Sequence, residues 1–232
     1  MQPLYIIGET KKLTQSDIND IEKLMSLPAD YKDFMITYGF GNINELLLVI
    51  QPDERYMKSN FGEYMDFWDL TDAETQSVLN GLTIATTIDG DIVVVIDNKC
   101  QPIILLPRHS SSPIYFDSFG KVVDYYKSEY IKDELYFDTT YNYEQEYISF
   151  IINNKLDKAL FEQVRRKFLN TIPFDKSYNI EIQPKYVIQK IGGWVYFDNI
   201  GKSSIRVKYQ KQLKSETNVI IDFINQQILF NK

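Results

Sequence analysis

The stretch GLTIATTIDGDIVVVIDNKCQPIILLPRHSSSPIYFDSFGKVVDYY, residues 81–126, contains the longest apolar runs and the clearest turns of the chain. Within it, Asp89-Gly90 is a typical hairpin turn that follows a β-branched segment. Residues 92–96 are five consecutive apolar residues, which predicts a central strand with both faces covered. Residues 103–106 predict the next strand, which ends at Pro107 because proline cannot donate to a sheet. The stretch therefore predicts an antiparallel sheet.

A helix is predicted directly after these strands. Its apolar residues have the i, i+3, i+4, i+7 spacing of one buried face, and they are Phe119, Val122, Val123 and Tyr126. Asp117 and Ser118 precede them as candidate caps. The predicted fold class is therefore α+β: an antiparallel sheet with helices packed on it, followed by a helix and a small β-rich C-terminal module.

The segment before this stretch predicts three further helices. Thr14 and Asp17 have the spacing of a capping box, and Thr71 and Glu74 repeat it. Leu27-Pro28 opens another helix, because proline is tolerated in a first turn.

The C-terminal part is less regular. Residues 133–154 are predicted to form a loop and then a helix, and residues 156–168 a further amphipathic helix. From residue 178 onward the pattern predicts strands, with a hairpin at Gly192-Gly193 and a last hairpin over residues 219–230.

Composition limits the class of protein. An apolar fraction of 44% over 232 residues is ample for a core, and a single cysteine excludes an internal disulfide. No apolar run reaches the roughly 20 residues of a membrane span, and the first residues do not have the pattern of a signal peptide. The chain is therefore predicted to be soluble and cytoplasmic, with no membrane partner.

Charge is distributed unevenly along the chain. Residues 1–150 hold 11 Lys and Arg against 25 Asp and Glu, whereas the remaining residues hold 14 against 7. This asymmetry predicts two modules, an acidic domain over residues 1–135 and a basic helix-plus-β module over residues 145–232. An acidic surface repels nucleic acid and attracts basic partners, so a basic protein is the expected partner.

The order of these features resembles the SUKH superfamily, the Smi/Knr-type domain. That family has a Leu-Pro before a helix that ends in glycines, a strand containing alanine, an acidic-Gly-Asp hairpin, and a Ser-Phe that opens the last helix. Tyr-Gly-Phe-Gly stands where many members have Asn-Gly-Gly. The resemblance covers roughly residues 12–130, and the matching residues are Leu27, Pro28, Tyr31, Phe34, Tyr38, Gly39, Gly41, Ile84, Ala85, Asp89, Gly90, Asp91, Ser118 and Phe119.

The resemblance implies a protein that acts by binding another protein. Many SUKH domains are bacterial immunity proteins that neutralise toxins, and nuclease toxins are often basic. It therefore implies a non-catalytic immunity protein that occludes the active site of a cognate toxin without any cofactor. The alternative within the same family is a regulatory scaffold linked to the control of cell-wall synthesis.

The acidic aromatic segment 53–69 is the most suggestive candidate for the partner-binding surface. Aromatic side chains supply contact area and carboxylates supply electrostatic steering. The competing interpretation places its aromatic residues in the core. The predicted contact residues, including the hairpin acids, are Asp53, Glu54, Glu63, Tyr64, Asp66, Trp68, Asp69, Asp89 and Asp91.

Catalysis has little support in the sequence. His109 is the only histidine, and a nucleophilic site would have to pair it with Cys100 or a serine. We expect instead a loop histidine and a cysteine that acts as a small apolar residue. Arg206 and Lys208, near Trp194 and Tyr196, could bind single-stranded nucleic acid, but alternation of this kind is also typical of a half-solvated strand.

Overall fold

The computed structural model describes residues 2–130, 134–152, 154–180 and 183–229. Its chain divides into two compact units, and each is described separately. Unit 1 comprises Met1–Ile6 and Thr10–Thr140, and unit 2 comprises Ile7–Glu9 and Tyr141–Lys232. The predicted α+β class is confirmed.

An eight-stranded sheet forms the centre of the described part of unit 1, in the order β1-β8-β2-β3-β4-β5-β6-β7. The consecutive pairs from β2 to β7 are antiparallel, as is the pair β2 and β8. The strands are β1 (Tyr5–Ile7), β2 (Gly41–Ile43), β3 (Leu47–Asp53), β4 (Leu82–Thr87), β5 (Ile92–Val95), β6 (Ile103–Leu106), β7 (Ile114–Phe116) and β8 (Tyr136–Thr139).

Strand β5 has both faces covered, as its apolar run predicts. Val93 and Val95 belong to one hydrophobic core, whereas Ile92 and Val94 belong to a second core on the opposite face. The first core is closed by α1 (Gln15–Glu22), α2 (Ala29–Thr37) and α5 (Phe119–Tyr130). The second is closed by α3 (Tyr56–Phe61), a 3-10 turn (Met65–Phe67) and α4 (Asp72–Leu79).

The predicted helix ends of unit 1 are largely confirmed. Thr14 and Thr71 form capping boxes at the starts of α1 and α4. The cap of α5 differs from the prediction. The Asp30 carboxylate of α2 accepts hydrogen bonds from the backbone amides of Phe119 and Gly120, at 3.2 and 2.6 Å. A side chain distant in sequence therefore satisfies the first free amides of α5.

Unit 2 contains a five-stranded antiparallel sheet in the order β12-β13-β14-β15-β9. A short hairpin of β10 (Ile151–Ile152) and β11 (Lys155–Leu156) precedes α6 (Lys158–Thr171), and α7 (Lys214–Leu229) follows the sheet. Both helices contribute to one core with the sheet. The strands are β9 (Tyr143–Ser149), β12 (Lys176–Tyr178), β13 (Lys185–Ile188), β14 (Gly193–Phe197) and β15 (Ser204–Gln210).

The segment Ile7–Glu9 belongs to unit 2 because Gln210 binds it. The Glu9 amide donates to Gln210 Oε1 at 2.9 Å, and Gln210 Nε2 donates to the Glu9 carbonyl at 2.7 Å. The Gly8 amide donates to Gln189 Oε1 at 3.1 Å. Three residues near the N-terminus thus complete the hydrogen bonding of a unit whose other residues begin at Tyr141.

Two predictions for the C-terminal part are wrong. Residues 143–149 form strand β9, not a helix, because they pair with β15 over seven positions. The last predicted hairpin is helix α7, because Thr217, Ile220, Ile224 and Ile228 share one buried face. Phe230, the last residue of that predicted hairpin, lies outside the described residues.

The long segments of the two units meet between Thr140 and Tyr141. Strand β8, at Tyr136–Thr139, belongs to unit 1, which extends five residues beyond the predicted end at residue 135. Residue 133, at the start of the predicted loop, lies outside the described residues.

Candidate functional site

A groove on unit 1 brings together the two segments that the sequence singles out. It has a volume of about 560 Å³, within the range of known ligand sites. One wall comes from α3 and the turn after it, and the other from the hairpin of β4 and β5 with the loop that follows β6. The lining residues are Tyr56, Asn60, Phe61, Tyr64, Phe67, Trp68, Thr86, Thr87, Gly90 and Arg108.

Trp68 forms the buried part of the aromatic wall. It is only 6% exposed, and its indole N–H donates to the Pro107 carbonyl at 2.9 Å. The rings of Phe61 and Phe67 lie 5.9 and 5.5 Å from it, centroid to centroid. Trp68 is therefore a core residue with one side on the groove, and its packing fixes the neighbouring rings.

The rim of the groove is apolar and exposed. Tyr64 is 63% exposed and Phe67 is 48% exposed, although both line the groove. Ile88, two residues before the lining residue Gly90, is 78% exposed. Exposed apolar side chains that line one groove, as Tyr64 and Phe67 do, are typical of interaction surfaces.

Six of the seven predicted contact acids are exposed, and Asp91 is half-buried. Four of the exposed acids form no ion pair within the described part of the chain; these are Glu54, Glu63, Asp66 and Asp89. Glu63 and Asp66 flank the rim residues Tyr64 and Phe67 in sequence, and Asp89 precedes the groove residue Gly90. Their charges are therefore available to a partner at this side of unit 1.

The three other predicted acids accept hydrogen bonds from the chain itself. Asp53 and Asp69 are exposed. Asp53 accepts from the Arg55 amide at 2.7 Å, and Asp69 accepts from the Ser111 hydroxyl at 2.7 Å. Asp91 has more such bonds than either. These contacts give the three carboxylates a structural role, and their contact with a partner stays a prediction.

Asp91 ties the groove to the core of unit 1. Its carboxylate accepts from the Arg108 amide at 2.9 Å and from the Tyr126 hydroxyl at 2.8 Å. Its own amide donates to Thr87 Oγ1 at 2.9 Å. Burial and the Asp91 carboxylate raise the pKa of Tyr126 well above its ordinary range, so its hydroxyl remains a donor.

Of the ten lining residues, only Tyr64 and Trp68 are among the predicted contacts, and those missed include Phe67 and Arg108. Ile92 pairs with Leu106 in the β5–β6 register, and continuing that register sets Gly90 opposite Arg108. Gly90 has a φ of +94°, and a Cβ there would lie 2.8 Å from the Arg108 Cδ. The side chain of Arg108 therefore crosses the turn at a place that only glycine leaves open. The strand register was the signal that could have found it.

Comparisons with known proteins add nothing to this geometry. No family model, curated protein or solved structure matches this chain. The SUKH resemblance therefore stays a prediction that rests on the residues quoted above.

The groups considered for catalysis do not meet. Cys100 precedes β6 and His109 follows it, so they lie at opposite ends of a four-residue strand. Both are exposed, so Cys100 does not pack in the core as a small apolar residue. Among the described residues, no group of three or more His, Cys, Asp or Glu is placed to hold a metal, and no helix is long and apolar enough to cross a membrane.

The basic strand of unit 2 also differs from the expected half-solvated face. Lys208 is 6% exposed, and its ammonium lies 4.5 Å from the centre of the Tyr143 ring. The Arg206 guanidinium lies 4.1 Å from the Tyr196 ring. Tyr196 and Trp194 are both buried, so neither ring is open for stacking on nucleic-acid bases.

Proposed function

We propose that this chain is a non-catalytic, SUKH-type immunity protein that acts in the cytoplasm. It would neutralise a cognate basic toxin, such as a nuclease toxin. The groove surface of unit 1 would cover the active site of the toxin. The observation that carries the proposal is the rim itself, where Tyr64 and Phe67 are exposed and are preceded in sequence by the exposed carboxylates Glu63 and Asp66. The resemblance over residues 12–130 is a second, independent support.

The two kinds of side chain would have separate tasks. Exposed aromatic residues gain free energy when a partner buries them, and they are frequent among the residues that dominate binding. The surrounding carboxylates would attract a basic toxin and raise its association rate, an effect that salt screens. An interface of standard size buries about 800 Å² per partner, which is more than the groove alone, so neighbouring surface would take part.

The first test is affinity capture from the cells of origin with a matched pair of variants. Tyr64→Ser with Phe67→Ser removes the rim, whereas Tyr147→Ser with Phe174→Ser removes two similarly exposed rings from unit 2. We expect a basic protein to be captured by the parent and the unit 2 variant, and lost by the rim variant. Co-expression with the parent chain should suppress the toxicity of the captured protein.

Two kinds of result would contradict the proposal. A captured protein that is not toxic, or several enzymes of cell-wall synthesis, would favour the scaffold alternative. Equal capture by the rim variant and the control would remove this surface from the proposal.

The second test concerns the carboxylates. Replacing Glu54, Glu63, Asp66 and Asp89 with their amides should lower the association rate with the captured toxin about tenfold at low salt. It should also flatten the salt dependence of that rate. The control replaces four exposed acids elsewhere on unit 1 and has the same net charge; these are Asp33, Asp72, Asp97 and Asp124. If both variants slow association equally, general charge rather than this surface is responsible.

A further inference from the structure

The groove contains a positive charge that forms no ion pair with the described residues. It belongs to Arg108, the one cation among the lining residues. The nearby Asp91 carboxylate is already occupied by the Arg108 amide and the Tyr126 hydroxyl. The charge of Arg108 is therefore available to a ligand, and it lies in the same cavity as five aromatic rings.

The backbone of Arg108 is fixed by the fold, because its amide donates to the Asp91 carboxylate. Its exposed side chain passes over the Gly90 turn, where glycine leaves room for it. Guanidinium groups suit carboxylates because two parallel N–H donors can meet the two oxygens.

The shape of the groove favours the end of a chain over a free small molecule. A volume of about 560 Å³ admits an aromatic residue together with its carboxylate. The groove is open, because Tyr64 and Phe67 remain largely exposed at its rim. A chain that continues past the rim would cover these two rings, whereas a small molecule inside the groove would leave them in water.

The charge around the groove supports the same choice. Glu63, Asp66 and Asp89 are exposed near the rim and would repel an isolated small anion. Basic residues that precede a terminal carboxylate would offset that repulsion. Arg108 and these three acids together complement a peptide whose C-terminal carboxylate is preceded by basic residues.

We propose that the groove binds the C-terminal aromatic residue of the partner chain, with its α-carboxylate on Arg108 and preceding basic residues beside Glu63, Asp66 and Asp89. The inference rests on the proposed function insofar as it takes this groove as the protein-binding surface.

The test uses the full chain and two probe peptides. The first is acetyl-Lys-Ser-Lys-Ser-Phe with a free carboxylate, and the second has the same sequence with a C-terminal carboxamide. Calorimetry should show about tenfold tighter binding of the free acid, the effect of one charge-assisted hydrogen bond. Arg108→Gln should reduce the affinity for the acid to that for the amide. Arg166→Gln, at an exposed arginine of unit 2, should leave both affinities unchanged.

Equal binding of the acid and the amide, or no binding of the acid at millimolar concentration, would overturn the inference. Failure of the inference can be separated from failure of the proposed function. A captured toxin that still binds after removal of its last residue, but requires Tyr64 and Phe67, refutes only the inference. Carboxylate-dependent peptide binding without any toxin that needs the rim refutes only the proposed function.

Discussion

Two buried tyrosines of unit 1 should respond in opposite directions to the loss of their hydroxyl groups. Tyr31 is fully buried and Tyr126 is 2% exposed. The Tyr126 hydroxyl donates to the Asp91 carboxylate at 2.8 Å, whereas the Tyr31 hydroxyl has no hydrogen-bond partner among the described residues. A hydrogen bond to a charged group contributes about 1.5 to 3 kcal/mol, and burying a hydroxyl without a partner costs about 1 to 3 kcal/mol.

The two Tyr→Phe variants therefore test the same reasoning. Tyr126→Phe should lower the free energy of unfolding of unit 1 by about 2 kcal/mol, because Asp91 loses a donor. Tyr31→Phe should raise it by about 1 kcal/mol, because phenylalanine fills the same space without the hydroxyl. Both rings stay in the core, so packing changes little.

The assay must report on unit 1 alone, because two units need not unfold together. Native-state hydrogen exchange of the β5 amides in the intact chain meets this need, since these amides lie at the centre of the first sheet. Equal shifts of the same sign in the two variants would show that the hydroxyl contacts do not control the outcome.

Three further results are expected. Burial raises the pKa of Tyr31 and of Tyr126, so the folded chain holds protons that the unfolded chain releases above about pH 10. Stability should be unaffected below that pH and fall above it, and less steeply in the double Tyr→Phe variant; urea titrations near pH 9 and 11 measure this. Asp30→Ala should lower the stability of unit 1 by about 1 to 2 kcal/mol, because two amides of α5 lose their acceptor. Asp33→Ala, at an exposed site of the same helix, should change it by less than about 0.5 kcal/mol, and exchange of the β5 amides measures both. Cys100 should react with a thiol reagent as fast in the folded chain as in urea, and slow labelling would contradict its exposure.

Short sequence patterns predicted the helices whose caps and buried faces are formed by residues close together in sequence. The capping box at Thr14 and the stripe from Phe119 to Tyr126 each fit within two helical turns, and both helices were predicted from them. Helix α7 was missed because its run of β-branched residues around Ile220 and Ile221 favours strands. Burial of one face in the unit 2 core outweighs that propensity.

The features that the sequence did not predict depend on pairing between strands that are far apart in the chain. Strand β9 depends on β15, more than 50 residues away, and its own spacing of apolar residues imitates a helix. The same limit applies to the groove. Its aromatic segment was evident from composition, but the approach of Arg108 to Gly90 depends on how two strands align.

Because Ile7–Glu9 belongs to unit 2, the start of the chain cannot complete its folding as soon as it is synthesised. A ribosome releases Glu9 long before Gln210, since the two residues are 201 positions apart. Most of unit 1 can fold during translation, but these three residues must wait for the last strand of unit 2. The start of the chain thus closes a structure that the end of the chain completes. A fragment that begins at Tyr141 would leave the Gln210 amide without the Glu9 carbonyl that it binds in the intact protein.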